Sequence, residues 1–308
     1  MCPWQMYMTY GNTKILRRQF SSMKKYVDYI TANTNDKYLW TGFDHFGDWL
    51  GIDAPAGSYK GSSREDFIAS VFYAYATSLV VKAGKVLNRN VEKYERLYDK
   101  IVSKTRKVFT ECKTQTECVI SLYFDIAEDK KAIAAQLADM IIANGRRLTT
   151  GFVGTPFLLH ALSQNGYTDL AYDLLLQEQF PSWLYSVKQG ATTIWEHWDG
   201  KNDKGEFWSK DMNSFNHYAY GSVADWVYEV ACGIKPMAPG FERIAVCPNP
   251  TDKLDMLSAR IDTKYGTVSS KWYHFEGKIR YEITTPCDNT VVLIDGKEFV
   301  VNKGTYIF

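Results

Sequence analysis

The 308-residue sequence has almost no net charge: 36 lysines and arginines stand against 35 aspartates and glutamates, a formal balance of +1. A nucleic-acid or membrane-surface partner needs a basic excess or a basic face, so neither is expected. Uninterrupted apolar runs fall well short of the roughly 20 residues that span a bilayer. The first residues, Met1-Cys2-Pro3-Trp4, hold no basic stretch followed by an apolar one, so no signal peptide is visible and nothing in these residues assigns a compartment. Cysteine is sparse and scattered. Cys112 and Cys118 lie six apart with no histidine nearby, which fits no zinc spacing, and the six thiols are expected to be reduced and mostly buried. No fixed repeat is present either, which disfavours a solenoid.

Aromatic residues are abundant: Phe, Trp and Tyr make up 15% of the chain, with nine tryptophans. Their flat apolar faces fill cores and also suit the C–H faces of sugar rings. With 45% hydrophobic residues the chain can bury a sizeable core.

Residues 1–232 read as a succession of helices. Ile15, Phe20, Met23, Tyr26, Val27 and Ile30 recur near a 3.6-residue period, and so do Ile68, Val71, Phe72, Tyr75 and Leu79. Ser62 and Glu65 have the spacing of a capping box at the start of the second stripe. Further helices are expected over 91–108, 115–124, 133–144, 156–164 and 169–178, and a long one over Asn213–Cys232. Two long loops, 33–61 and 189–212, carry Trp, Asp and Glu, and function tends to sit on such loops.

After Pro236 the pattern changes to short alternating segments. Strands are expected at 243–247, 257–262, 267–274, 278–284, 291–294 and 297–301, with hairpin turns at Glu276-Gly277 and Asp295-Gly296. The domain division expected is 1–234, helical, and 235–308, a small antiparallel β-sandwich.

Three segments carry chemistry by residue type. In Ile194-Trp-Glu-His-Trp-Asp199 the carboxylate of Glu196 stands between Trp195 and Trp198. Indole rings desolvate a carboxylate and raise its basicity, which suits a general base in glycoside hydrolysis; a structural partner for an arginine or for backbone amides is the alternative. In Trp40-Thr-Gly-Phe-Asp-His-Phe-Gly-Asp-Trp-Leu50, Trp40 and Trp49 offer platforms, and Asp44 and Asp48 offer acceptors for hydroxyls; a loop built on Asx turns weighs equally. In Asn213-Ser-Phe-Asn-His217, His217 is expected in a first helical turn. There the helix dipole disfavours its charge, so a neutral imidazole contacting a hydroxyl is plausible on chemical grounds.

Together with Thr149-Thr-Gly-Phe-Val-Gly-Thr-Pro-Phe157, Phe46-Gly-Asp-Trp-Leu50 and Gly240-Phe-Glu-Arg-Ile244, these segments resemble, in order and over nearly the whole chain, the inverting α-L-rhamnosidases of glycoside hydrolase family seventy-eight. The resemblance implies a mainly α fold: an (α/α)₆ toroid, incomplete at its N-terminus, followed by a small antiparallel β-sandwich. It implies Glu196 as the base that activates water, His217 as a contact to rhamnose hydroxyls and Trp49 as an aromatic wall with Asp48 beside it. Trp195, Trp198, Trp40 and Asp44 complete the expected sugar site. The ligand implied is a rhamnose-containing carbohydrate, and the chemistry needs no metal or organic cofactor. The family's acid lies in an Asp-Glu-Arg-Leu-Gly-Trp-type segment that this sequence lacks, so the chain reads as a fragment beginning inside the catalytic domain. Its open helix faces are expected to promote self-association. Without the acid, a fragment that binds rhamnosyl sugars and does not cleave them is the alternative function.

Overall fold

The computed structural model describes residues 1–210 and 212–308. Within them the helical stripes become α1 (Cys2–Tyr10), α2 (Thr13–Asn33), α3 (Glu65–Val86), α4 (Glu92–Val108), α5 (Gln115–Tyr123), α6 (Lys130–Ala143), α7 (Thr155–Gln164), α8 (Thr168–Leu175), α9 (Trp183–Lys188) and the single turn α10 (Val223–Trp226). Two compact units form. One comprises Lys25–Ser78 and Glu92–Val223; the other comprises Met1–Lys24, Leu79–Val91 and Ala224–Phe308.

Local chemistry explains most boundaries in the first unit. α4 buries Tyr94, Leu97, Ile101, Val102 and Thr105, a stripe at helical spacing. Its acidic residues lie in the first turn and its basic ones in the last, as the helix dipole favours. The Thr114 hydroxyl accepts from Glu117 N–H to cap α5, Asp129 accepts from Ala132 N–H to cap α6, and Ser182 accepts from Tyr185 N–H to cap α9. Neighbouring helices α5, α6, α7 and α8 pack on one another through buried leucines and isoleucines such as Ile120, Leu137, Ile141, Leu158 and Leu174.

The capping box expected at α3 does not form. Ser62 instead donates its hydroxyl to Asp53 O (2.5 Å), and Glu65 accepts from His45 N–H (3.3 Å) and from Lys60 Nζ (3.2 Å). The loop before the helix has claimed both side chains. A buried ion pair holds the helix entry: Glu117 accepts from Arg64 Nε (2.9 Å), Arg64 Nη2 (2.6 Å) and the backbone N–H of Arg64 (2.8 Å) and Lys113 (2.7 Å). α3 itself is long and apolar enough to cross a membrane by length and composition, which the reading from uninterrupted runs passed over; 61% of its most apolar stretch is buried.

The long helix expected over 213–232 is the largest local departure. Residues 213–218 are irregular. A 3₁₀ turn (Ala219–Ser222), α10 and a π-helical turn (Val227–Ala231) follow. The reason is that 193–196 has taken the backbone groups a helix would use. Glu196 N–H donates to Ser214 O (2.9 Å), His217 N–H donates to Ile194 O (2.9 Å), and Thr193 donates its hydroxyl to Phe215 O.

In the second unit the strands are β1 (Ile234–Pro236), β2 (Ile244–Val246), β3 (Met256–Thr263), β4 (Gly266–Phe275), β5 (Lys278–Thr285), β6 (Thr290–Ile294), β7 (Lys297–Val301) and β8 (Gly304–Ile307). They form two four-stranded sheets, β1-β2-β6-β7 and β3-β4-β5-β8. Pairing is antiparallel except between β2 and β6, which run parallel. Val268, Trp272, Tyr281 and Ile283 from one sheet share a single buried cluster with Ile234, Val246, Val292 and Ile294 from the other. Both expected hairpin turns have positive φ at their two central residues, 49° and 72° at Glu276-Gly277 and 48° and 74° at Asp295-Gly296. That is the backbone a two-residue hairpin demands. β1 and β8 were missed; each is short, and one holds a proline and the other a glycine. The six cysteines are free, with Cys2 exposed and Cys112, Cys118, Cys232 and Cys287 buried.

Candidate functional site

The site is assembled in the first unit by two loops, each organised around a carboxylate. In the first loop Asp48 is 1% exposed. Its Oδ2 accepts from Gly151 N–H (2.8 Å) and the Thr116 hydroxyl, and its Oδ1 accepts from Val153 N–H (2.8 Å) and Gly154 N–H (3.3 Å). Burial pushes the Asp48 carboxyl up from its usual range, and the four donors act against that shift. Phe152 N–H donates to Trp49 O (2.9 Å) and Ile52 N–H to Thr149 O (2.9 Å), so 49–52 and 149–152 run against each other. The approach requires glycine at 151, where a Cβ would lie 2.3 Å from Trp49 O. Both oxygens of Asp48, expected to face a sugar hydroxyl, are engaged by protein donors.

In the second loop Glu196 is half-buried. Its Oε2 accepts from Ser214 N–H (3.0 Å). Among the described residues no arginine or lysine pairs with it, and Oε1 has no hydrogen-bond partner. The rings expected to flank it have other duties. Trp195 and Trp198 are only 6% and 3% exposed. Trp195 meets Phe215 edge-on (5.1 Å), and Trp198 stacks on Tyr220 (3.8 Å) and meets Trp183 edge-on (5.1 Å). They form the floor of the loop rather than an open platform.

His217 lies just before the 3₁₀ turn, outside any first helical turn. Its ring stacks on Phe152 (4.9 Å), and its Nδ1 accepts from Ala219 N–H (3.4 Å). With Nδ1 accepting, a neutral ring carries its proton on Nε2 and can donate there. His197, next to Glu196, is buried and stacked on Trp208 (3.5 Å). Burial drives its pKa down to about 4, with His217 adding to the depression and Glu196 opposing it. His197 is thus neutral at physiological pH.

Trp49 is half-buried and belongs to a row of rings: Phe46 (5.4 Å) on one side, Tyr59 (5.3 Å) on the other, then Trp208 (5.9 Å from Tyr59). Phe46 is 73% exposed, and Tyr59 and Trp208 are also exposed. Three of the four rings in this row are therefore open to solvent. Trp40 is apart from it in the ring contacts, stacked on Phe43 (4.2 Å). Asp44 is fully exposed, and its hydrogen bond from Lys60 (2.6 Å) holds its carboxyl below the usual range. The expected residues thus divide: Glu196 and His217 are joined by the pairing of 194–196 with 214–217, Trp49 belongs to the ring row, and Asp48 braces the adjoining loop. Tyr59, Phe152 and Trp208 were missed, although Phe152 stood inside a quoted motif and Trp208 inside the long loop 189–212. Among the described residues no trio of metal-ligating side chains forms around Glu196.

Residues 1–231 match the family model of the bacterial alpha-L-rhamnosidase 6 hairpin glycosidase domain, and residues 233–306 match that of the bacterial alpha-L-rhamnosidase C-terminal domain. An alpha-L-rhamnosidase of Formosa agariphila is 36% identical over 299 residues, covering 94% of this chain and 32% of that protein. One of Streptomyces avermitilis is 33% identical over 296 residues, covering 94% and 28%. The crystal structure of a Streptomyces avermitilis alpha-L-rhamnosidase complexed with L-rhamnose superposes with a TM-score of 0.90 at 30% identity, over 99% of this chain and 32% of that one. The native enzyme from Aspergillus terreus gives 0.91 at 31% identity, over 100% and 38%. The chain thus spans about a third of the length of these relatives. By its two family domains and by its fold, this chain belongs to the bacterial α-L-rhamnosidases, a six-hairpin glycosidase family with a C-terminal sheet domain.

Proposed function

We propose that the chain carries the water-activating half of a glycoside hydrolase site that releases terminal α-L-rhamnose with inversion, and that Glu196 is its general base. The observation that carries this reading is the unshared oxygen of Glu196. Ser214 N–H holds one oxygen and thereby the side chain, while Oε1 is left to accept a proton from water. His217, held against Phe152 with Nδ1 accepting from Ala219 N–H, leaves Nε2 to donate to a sugar hydroxyl, and Trp49 with its neighbouring rings suits the C–H face of the sugar.

Inversion needs a second carboxyl about 6.5–9.5 Å from the base, to protonate the departing oxygen while water attacks from the opposite face. No residue of this chain is assigned that role. That is the observation favouring a second reading, in which the chain binds rhamnosyl sugars without cleaving them. Hydrolysis of an aryl α-L-rhamnoside, followed for the unaltered protein and for Glu196→Gln, tests the proposal. Loss of a general base lowers kcat by about 10²- to 10⁴-fold with little change in KM. A variant that keeps most of its rate removes Glu196 from the role. Rhamnose binding with no turnover by the unaltered chain selects the second reading.

A further inference from the structure

Two sulfurs that take no part in the proposed hydrolysis meet in the first unit. Cys112 is 7% exposed, Cys118 is 0% exposed, and both are free thiols. The S–H of Cys118 donates to the Cys112 sulfur, and the Ser121 hydroxyl is a second donor to it. The backbones of the two differ. Cys118 is anchored inside α5, its N–H donating to Thr114 O (3.1 Å). Cys112 belongs to the irregular run 109–113 between α4 and α5, where its carbonyl accepts from Gln136 Nε2 (2.8 Å). One sulfur is fixed and the other sits on backbone outside any helix. They can close from contact to the roughly 2.05 Å of a covalent bond without unwinding a helix.

The two thiols also differ in reactivity. The thiolate is the form that attacks a disulfide. The S–H donated by Cys118 holds the Cys112 thiol below its usual range; Ser121 and the charge of Arg64 add to this, while burial and Glu117 oppose it. At Cys118 the same contact, burial and the charges of Cys112 and Glu117 push the thiol far up. Burial alone pushes Cys232 up to about 12. Cys112 is thus suited to attack first and Cys118 to follow. What lies between them gives a bond its consequence. Glu117 Oε2 accepts from Arg64 Nη2 (2.6 Å) and from Lys113 N–H (2.7 Å), and Thr116 donates its hydroxyl to Asp48 (2.5 Å). A covalent tie from 112 to 118 encloses Lys113, Thr116 and Glu117.

We propose that Cys112 and Cys118 are a redox-active pair that closes into a disulfide when it meets an oxidised small-molecule thiol, fastening the segment 113–117 that holds Arg64 and Asp48. The Cys112 thiolate attacks one sulfur of the small disulfide RS–SR, forming Cys112–S–SR and releasing RS⁻. Cys118 then loses its proton, and its sulfur displaces the second RS⁻ from Cys112. Two protein thiols are oxidised, one RS–SR is reduced to two RSH, and the two protons leaving the protein end on the two RS⁻.

The test incubates the reduced 308-residue chain with oxidised glutathione until the exposed Cys2 carries glutathione. The reaction is then quenched with acid, and the chain is alkylated in denaturant and digested with trypsin. Lys113 separates the two cysteines, so trypsin places them in different peptides, 108–113 and 114–130, which stay joined only through a disulfide. Expected are joined peptides in the parent, released by dithiothreitol; glutathione trapped on Cys112 in Cys118→Ser; and an unmodified Cys118 in Cys112→Ser. The joined form should melt about 2–6 °C above the reduced form, a gain absent from Cys112→Ser. Near-UV circular dichroism checks the fold of both variants, and the peptide map of the parent decides the pairing without them. An alkylated Cys112 beside a glutathione-bearing Cys2 overturns the pair, as does glutathione on Cys112 of the parent with no joined peptides. A joined form that melts no higher than the reduced one overturns the fastening of 113–117. None of these readouts uses sugar turnover, so the pair and the assignment of Glu196 fail separately.

Discussion

Asp48 and Glu196 are both carboxylates that accept backbone N–H groups from a distant loop, and they differ in what remains afterwards. Asp48 is buried, with four donors divided over its two oxygens. Glu196 is half-buried, with one donor on one oxygen. A saturated carboxylate stabilises architecture, because removing it strands its donors in a dry place. A carboxylate with an oxygen to spare can accept a proton, at the cost of contributing less to the fold. Both kinds occur within the same unit, and the first sets the loop on which Trp49 and Phe152, the ring beneath His217, are mounted.

The strongest way to break this contrast is to exchange the phenotypes. Glu196→Gln is expected to lose about 10²- to 10⁴-fold in kcat while its urea midpoint moves little. A large drop in the midpoint instead makes Glu196 a second structural carboxylate. Asp48→Asn is expected to do the reverse. Its amide nitrogen would face backbone donors, and a loss of about 2–4 kcal/mol in unfolding free energy should follow, read as a lower urea midpoint at unchanged slope. A variant as stable as the parent would show that the 151–154 amides do not need the carboxylate.

A pH series sharpens the comparison at the neighbouring histidine. The folded pKa of His197 is about 4, against 6.5 for the free side chain. Between those values the unfolded chain binds the proton more readily. The contribution of His197 to stability is therefore complete above pH 6.5 and is lost as the pH falls toward 4. Melting temperatures taken over that range should fall more steeply for the parent than for His197→Phe; parallel curves would remove burial of a neutral His197 from the account. The smallest effect is expected at the cap of α9. Ser182→Ala should cost about 1 kcal/mol, through loss of the bond to Tyr185 N–H, and leave sugar binding intact.

Much of the fold was legible because its signals are local. α2, α4 and α6 follow 3.6-residue stripes, β3 to β5 follow alternation, and β5 to β7 are set off by two Gly-bearing turns, so each needs only its own residues to declare itself. The segment 213–218 was misread as helix because its backbone partners are at 193–196, a pairing that periodicity does not record. Ser62 and Glu65 had the right spacing for a cap, yet lost it to Asp53, His45 and Lys60. At the candidate site, Glu196, His217 and Trp49 were singled out from residue type and from the family resemblance. Tyr59, Phe152 and Trp208 were not, because an aromatic side chain gains its meaning from which face is left uncovered.

The sequence by itself determined which residues could do chemistry, where the helices give way to strands, and the family to which the chain belongs. Side-chain type, hydrophobic period and motif order all reside in the order of residues. Only the tertiary structure decided that Asp48 is spent and Glu196 is not, since the amide that engages Asp48 Oδ2 comes from 103 residues away. Burial and the count of unshared lone pairs are properties of packed neighbours, and those neighbours exist only once the chain has folded.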